Sequence, residues 1–153
     1  MKDKFSNLYI ENQLCFPIYA SSRLTIQAYT PYLDELGITY PQYLVLMVLW
    51  QYSEQSVGEI GARLLLESNT LTPLLKRMEQ KELITRTRSK ADERTVIISL
   101  TQKGKKLREK AVSIPEKIIT SLQDDSITEA EALSFQKTLW KLLDVLKEKT
   151  TSA

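Results

Sequence analysis

Apolar residues recur at mixed three- and four-residue steps from about Asn12 to Leu36, at Leu14, Ile18, Leu24 and Ala28, and this spacing predicts a helix. Pro17 lies inside the stretch, so the helix either begins near it or kinks there, and both outcomes place Cys15 at a helix N-terminus or a break. After Gly37 the nearly unbroken apolar run from Ile38 to Tyr52 predicts a core helix, with Thr39 as its cap and Pro41 in its first turn. Ser56 and Glu59 have capping-box spacing, and Val57, Ile60, Leu64 and Leu65 form the buried stripe of a short helix. A second short helix follows, with cap candidates Ser68, Asn69 and Thr70 and apolar Leu71, Leu74, Leu75 and Met78. Pro73 suits it best if it starts late, near Thr70, and its polar face offers Asn69, Thr72, Lys76 and Arg77. From Leu83 to Ser89 the period changes to two, a polar turn follows, and Arg94 to Leu100 is rich in β-branched residues, which predicts a hairpin. Thr101 and Gly104 open another helix, and a Thr128/Glu131 capping box opens a long C-terminal one.

Two short amphipathic helices joined by a tight turn and followed directly by a hairpin are the parts of a winged helix-turn-helix. The predicted fold is therefore mainly α with a small β-hairpin wing. At 153 residues one folding unit is expected. Residues 76–110 hold 12 Lys/Arg against 5 Asp/Glu, a balance of +7, which leaves 9 against 14 elsewhere. Such polarity suits a basic face for an anionic polymer, although a solvated lysine-rich surface has the same composition. Arg86 and Arg88 on the first strand, with Asp92 and Arg94 in and after the turn, place cations where phosphates and a narrow minor groove could meet them.

The chain has no histidine and one cysteine, Cys15. These counts exclude an intrachain disulfide, histidine-based zinc sites and Ser-His or Cys-His nucleophile pairs, so no enzyme, cofactor or bound metal is expected. The longest apolar run, Leu44 to Trp50, is too short to cross a bilayer, and a lone thiol suits a reducing compartment, so a cytoplasmic location with no membrane contact is expected.

The order of these elements, with the segments SNTLTPLLKRMEQKELITRTRSKADERTVIISLTQKGK and ENQLCFPIYASSR, resembles the MarR family, and within it the one-cysteine organic hydroperoxide sensors of the OhrR subgroup. The likeness spans nearly the whole chain; DERTV in the wing and the LTxxG after it mark the family, and LCF marks the thiol-sensing branch. It implies a homodimer that binds palindromic double-stranded operator DNA and represses transcription. It also implies a single domain over 1–153, with 1–36 and 105–153 as a helical dimerisation region built from the N- and C-terminal helices, and 37–104 as the winged DNA-binding lobe. Cys15 matches the peroxide-reactive cysteine, with Tyr19 one helical turn beyond it. Tyr29 and Tyr40 match tyrosines that hydrogen-bond the sulfur from the partner subunit. Ser68, Thr70, Thr72, Lys76 and Arg77 match the recognition-helix face, and Asp92 and Arg94 match a pair in which the aspartate orients the arginine. Pro17 replaces the family's usual aliphatic residue.

The resemblance implies that an organic hydroperoxide oxidises Cys15 and that a low-molecular-weight thiol caps it, since no second cysteine is present to resolve the sulfenic acid. On residues alone, a lone cysteine is ordinarily a small buried hydrophobe, and Tyr29, Tyr40 and Trp140 are ordinary core or dimer-seam residues. Two other functions stand beside the redox repressor. One is a MarR-type regulator responding to a phenolic or apolar ligand, or a broader redox and virulence regulator; the other is a thiol peroxidase turning over at Cys15.

Overall fold

The first long helix, α1, runs Cys15–Glu35 in the computed structural model, which describes residues 3–122 and 126–151. Pro17 occupies its first turn, where backbone N–H groups have no partner within the helix, so the helix starts ahead of the proline. The sequence pattern did not flag Pro31, which lies inside the same helix. Proline lacks a backbone N–H, so Pro31 removes a single rung, and a 21-residue helix carries that loss. α1 ends where Gly37 turns left-handed (φ 67°); the Gly37 N–H then reaches Asp34 O at 2.9 Å and the Ile38 N–H reaches Leu33 O at 3.1 Å. Leu33 and Ile38, which flank this turn, are both buried. Ahead of α1, Ser6–Leu8 and Ile10–Asn12 form two short 3-10 turns.

Helix α2 spans Tyr40–Tyr52 and begins with a capping box in which the Thr39 N–H donates to Gln42 Oε1 at 3.1 Å. It buries Gln42, Tyr43, Val45, Leu46, Val48 and Leu49, as its apolar run predicts for a central helix. Then come β1 (Gln55–Ser56), α3 (Val57–Leu64), α4 (Ser68–Gln80), β2 (Ile84–Arg88), β3 (Val96–Leu100) and α5 (Gln102–Ala111). The predicted hairpin is β2 and β3, antiparallel with Ile84 opposite Leu100, Arg86 opposite Ile98 and Arg88 opposite Val96. β1 joins the other edge of β3, giving the order β1-β3-β2. Val45, Leu46, Leu49, Ile60, Leu71, Leu75, Met78, Ile84 and Ile98 are almost wholly inaccessible, so α2, α3, α4 and the sheet share one core. Each such side chain stabilises the fold by about 1.5–3 kcal/mol relative to exposure.

This first compact unit ends at Ile114, and a second begins at Pro115. The second contains most of α6 (Ile114–Leu122) and all of α7 (Glu129–Thr151). α7 opens on the expected capping box, with the Thr128 N–H donating to Glu131 Oε2 at 2.9 Å and the Glu131 N–H to Thr128 Oγ1 at 3.3 Å. The ends of the expected 1–153 span, residues 1–2 and 152–153, lie outside the described residues. Among the described residues no helix is long and apolar enough to cross a membrane.

Three expectations change. Leu65 does not belong to the buried stripe of α3: it is left-handed (φ 55°) and 47% exposed, because it ends the helix. α4 begins at Ser68 with Glu67 as its N-cap, ahead of the expected start near Thr70. Pro73 is tolerated because it removes only one N–H and lies on the exposed side of the helix. Trp140 is 60% exposed, which removes the core reading within this chain and leaves the dimer-seam one. Along α1, Phe16, Tyr19, Leu24 and Ile26 are also exposed, as are Leu133, Phe135, Val145 and Leu146 along α7.

Candidate nucleic-acid interface and sensor site

α3 and α4 meet through a turn that leaves no room for a side chain at Gly61. The Leu66 N–H donates to Gly61 O at 3.0 Å, and a Cβ on Gly61 would stand 2.7 Å from the Leu66 carbonyl oxygen. Ser56 caps α3 reciprocally with Glu59, whose carboxylate accepts the Ser56 N–H and hydroxyl, both at 2.7 Å. Gly61→Ala is therefore expected to destabilise the protein by about 1–3 kcal/mol, because backbone must shift to admit the methyl. Urea denaturation checks this, and an unchanged midpoint would contradict it.

α4 turns Leu71, Leu74, Leu75 and Met78 into the core at three- and four-residue steps. The opposite side consequently presents Ser68, Asn69, Thr70, Lys76 and Arg77 to solvent, with Thr72 half-buried between them. Small polar groups near the helix start and cations one to two turns on suit a helix lying in a major groove, bases at its tip and phosphates along its length.

The wing separates its arginines. Arg88 and Arg94 are exposed. Arg86 is half-buried: its Nη1 lies 3.6 Å from Glu79 Oε2 on α4, and its Nε is buried with no hydrogen-bond partner. The structure thus ties Arg86 to the recognition helix, a pairing that sequence spacing did not reveal. The Asp92 carboxylate accepts the Arg94 N–H at 3.0 Å and the Thr95 hydroxyl at 2.9 Å, and the Ser89 N–H closes the turn on Thr95 O at 2.8 Å. These bonds, the Arg94 N–H first, hold the Asp92 carboxyl below its ordinary range. The turn is accordingly secured at neutral pH and loosens only as acidification protonates Asp92 through that lowered value. Asp92 positions Arg94 through its backbone; its guanidinium makes no ion pair among the described residues.

Cys15 is exposed as the first residue of α1, and Tyr19 beyond it is exposed with the Arg23 guanidinium 5.6 Å from its ring centre. Tyr29 lies fourteen residues further along the same helix, about 21 Å at 1.5 Å per residue. Tyr29 and Tyr40 meet edge to face with ring centres 5.0 Å apart. The sequence reading missed Tyr43, which packs 6.0 Å from Tyr29 and 6.3 Å from Tyr40; its spacing of three from Tyr40 on one helix was the available signal. Trp50 continues the cluster 6.2 Å from Tyr43, its Nε1–H donating to Gly104 O at 3.0 Å. Burial raises all three tyrosine hydroxyls above the usual phenol value, so at neutral pH each is a neutral O–H donor. The structure brings Tyr29 and Tyr40 together and keeps both remote from Cys15 of the same chain.

A recognition helix with an exposed cationic face, a wing carrying further arginines and a shared core beneath them define a winged helix-turn-helix transcriptional regulator. A family profile described as "Transcriptional regulator SarA/Rot" matches residues 27–111. The organic hydroperoxide resistance transcriptional regulator of Bacillus subtilis (strain 168) is 50% identical over 149 residues, covering 97% of this chain and 99% of that protein. The structure of reduced AbfR bound to DNA superposes with a TM-score of 0.77 at 40% identity, covering 97% of this chain and 98% of that one. The disulfide-formed AbfR gives 0.64 at 39% identity, covering 94% and 97%. The chain belongs to the MarR family of winged-helix transcriptional regulators, in its organic hydroperoxide resistance branch.

Proposed function

We propose that the protein is a redox-sensing repressor that binds palindromic operator DNA as a homodimer and leaves it when an organic hydroperoxide oxidises Cys15. The observation that carries this reading is the split sensor. An exposed thiol sits at one end of α1 and a pair of neutral tyrosine donors at the other, about 21 Å away. In a two-fold dimer each chain's Cys15 can meet the Tyr29 and Tyr40 hydroxyls of the second copy, since isologous contacts are reciprocal. The exposed apolar side chains of α1, and separately those of α7, each leave apolar surface for a second copy to cover, in keeping with 1–36 and 105–153 as the dimerisation region and 37–104 as the DNA-binding lobe. Tyr19, one turn from Cys15, borders the same site.

Ser68, Asn69, Thr70, Thr72, Lys76 and Arg77 enter the major groove in this reading. Arg88 and Arg94 reach phosphates and the minor groove, Asp92 holds Arg94's turn, and Arg86 braces the wing against Glu79 while adding to the local positive field. The dimer presents both recognition helices to half-sites about one helical turn apart. AbfR, solved reduced on DNA and also in a disulfide form, supports a thiol-linked regulator, and the protein superposes better on the reduced, DNA-bound form.

The chemistry is stoichiometric. The Cys15 thiolate attacks the terminal peroxide oxygen, the O–O bond breaks, and sulfenic acid and an alcohol result. A small thiol then displaces water from the sulfenic acid, leaving a mixed disulfide; with one cysteine per chain, no internal thiol competes. The added bulk displaces the tyrosine pair and changes the separation of the two lobes. The protein therefore acts by binding rather than catalytic turnover, in the cytoplasm, where both DNA and a reducing thiol pool are found.

Cys15→Ser is expected to bind DNA as the wild type does and to remain bound after cumene hydroperoxide and a small thiol are added. Fluorescence anisotropy on a palindromic duplex from upstream of its own gene reads this directly. If both proteins stay bound, the cysteine is structural and the ligand-responsive alternative takes over; consumption of many equivalents of peroxide would favour the thiol peroxidase.

A further inference from the structure

Lys81 closes α4, yet its side chain serves the helices that carry the tyrosine pair. Its Nζ donates to Gly37 O at 2.7 Å and to Gln42 Oε1 at 3.1 Å. Gly37 is the left-handed residue that ends α1, the helix of Tyr29. Gln42 is 2% exposed, and the same Oε1 accepts the Thr39 N–H at 3.1 Å to cap α2, the helix that begins with Tyr40. One ammonium thus grips the end of one tyrosine-bearing helix and the cap of the other. Neither ion pair found among the described residues involves Lys81, so its acceptors are a backbone carbonyl and a buried amide, both fixed in direction.

At the other end of the same residue, Lys81 caps the helix that carries the DNA-facing residues. Its N–H bonds Arg77 O at 3.1 Å, the Leu83 N–H reaches Met78 O at 3.0 Å, and Glu82 is left-handed (φ 58°), so the chain leaves α4 through a tight, fully bonded turn. Lys103 Nζ binds the Lys81 carbonyl at 2.8 Å, and the Thr101 N–H binds Leu83 O at 3.1 Å, which ties this turn to the start of α5. Movement at the α1–α2 junction cannot leave the end of α4 untouched while these bonds hold.

We propose that Lys81 is the positioning residue that couples the Tyr29–Tyr40 pair to the recognition helix, and so transmits oxidation of Cys15 into release of DNA. The inference rests on the thiol-switch reading above. Lys81 touches neither the sulfur nor the exposed face of α4. Its role is to make the junction at Gly37 and the C-terminus of α4 move together, as a shared element biased by both sites must.

The test compares wild type, Lys81→Met and Lys81→Arg, each reduced and each fully converted to the Cys15 mixed disulfide, with modification verified by intact mass. Methionine keeps the apolar stem and removes the ammonium; arginine keeps a cation able to donate to two oxygens. Reduced Lys81→Met is expected to bind a palindromic duplex within about threefold of wild type and to react with cumene hydroperoxide at the wild-type rate. Its ratio of oxidised to reduced dissociation constants is expected to fall by about tenfold or more, within the range of ordinary allosteric couplings, and Lys81→Arg to recover most of it. A merely structural role would lower both affinities and leave the ratio unchanged, which overturns the proposal. So does an equal loss in Lys81→Arg and Lys81→Met. If wild type itself holds DNA when fully modified, the thiol-switch reading fails, and the assignment of Lys81 falls with it; the wild-type arm separates that failure from one confined to Lys81.

Discussion

Arg94→Ala is expected to weaken binding to the palindromic operator at least about thirtyfold. Arg94 is exposed, unpaired by any carboxylate among the described residues, and held at the wing tip by the bond of its own N–H to Asp92 at 3.0 Å. An arginine so prepared contributes about 1–3 kcal/mol per contact, and a two-fold dimer loses two of them at once. The sum of about 2–6 kcal/mol converts at 1.4 kcal/mol per decade into the loss stated. Because the turn is closed by Asp92 and Thr95 and not by the guanidinium, the variant should fold normally. Anisotropy titrations across a salt series separate the causes: lost phosphate contacts flatten the salt slope, lost groove contacts leave it steep. Affinity within threefold of wild type would remove the wing from the interface.

The second large effect concerns stability. Gly104→Ala is expected to destabilise the protein by about 3 kcal/mol, near the upper end for forcing a methyl into a closed site. A Cβ at Gly104 would fall on the carbonyl oxygen of Leu83 and 3.1 Å from Leu100 Cδ2. That carbonyl cannot retreat cheaply, because it accepts the Thr101 N–H at 3.1 Å and the Thr101 hydroxyl at 3.2 Å. Gly104 is held from two further sides: its N–H donates to Thr101 Oγ1 at 3.0 Å, and its own carbonyl accepts the Trp50 indole at 3.0 Å. The denaturant midpoint should drop with little change in slope, and the tryptophan emission of the folded state should shift with it. An alanine variant as stable as wild type would mean that the junction between wing and α5 yields easily.

Where local chemistry decides the structure, the sequence was readable. Thr39 caps α2 as expected, Ser56 with Glu59 and Thr128 with Glu131 cap helices where spacing placed them, and the change from helical three- and four-residue steps to a period of two marks the wing. The misreadings arise where a local rule meets a distant partner or an element too short to show a period. β1 is only Gln55–Ser56, which is too brief for alternation and exists because Ile97 and Ile98 offer an edge. Arg86 read only as one of four wing residues facing DNA, and its pairing with Glu79 on α4 is a contact that spacing does not show. The proposed sensor was legible only in part: Cys15 and Tyr29 on one predicted helix already imply a separation of about 21 Å, whereas the packing of Tyr43 against Tyr29 and Tyr40 joins two helices and shows only in the fold. Lys81 gave no signal at all, since its acceptors lie 44 and 39 positions away.

The central claim is that chemistry at one sulfur releases the operator, and the most direct measurement follows both quantities in one sample. The protein–DNA complex is titrated with cumene hydroperoxide in the presence of a small thiol, with anisotropy reporting bound DNA and intact mass reporting the modified fraction of Cys15. The account predicts that DNA is released in step with the mixed disulfide and is fully free when every Cys15 is capped. Complete capping with DNA still bound, or release while Cys15 remains a free thiol, would contradict it.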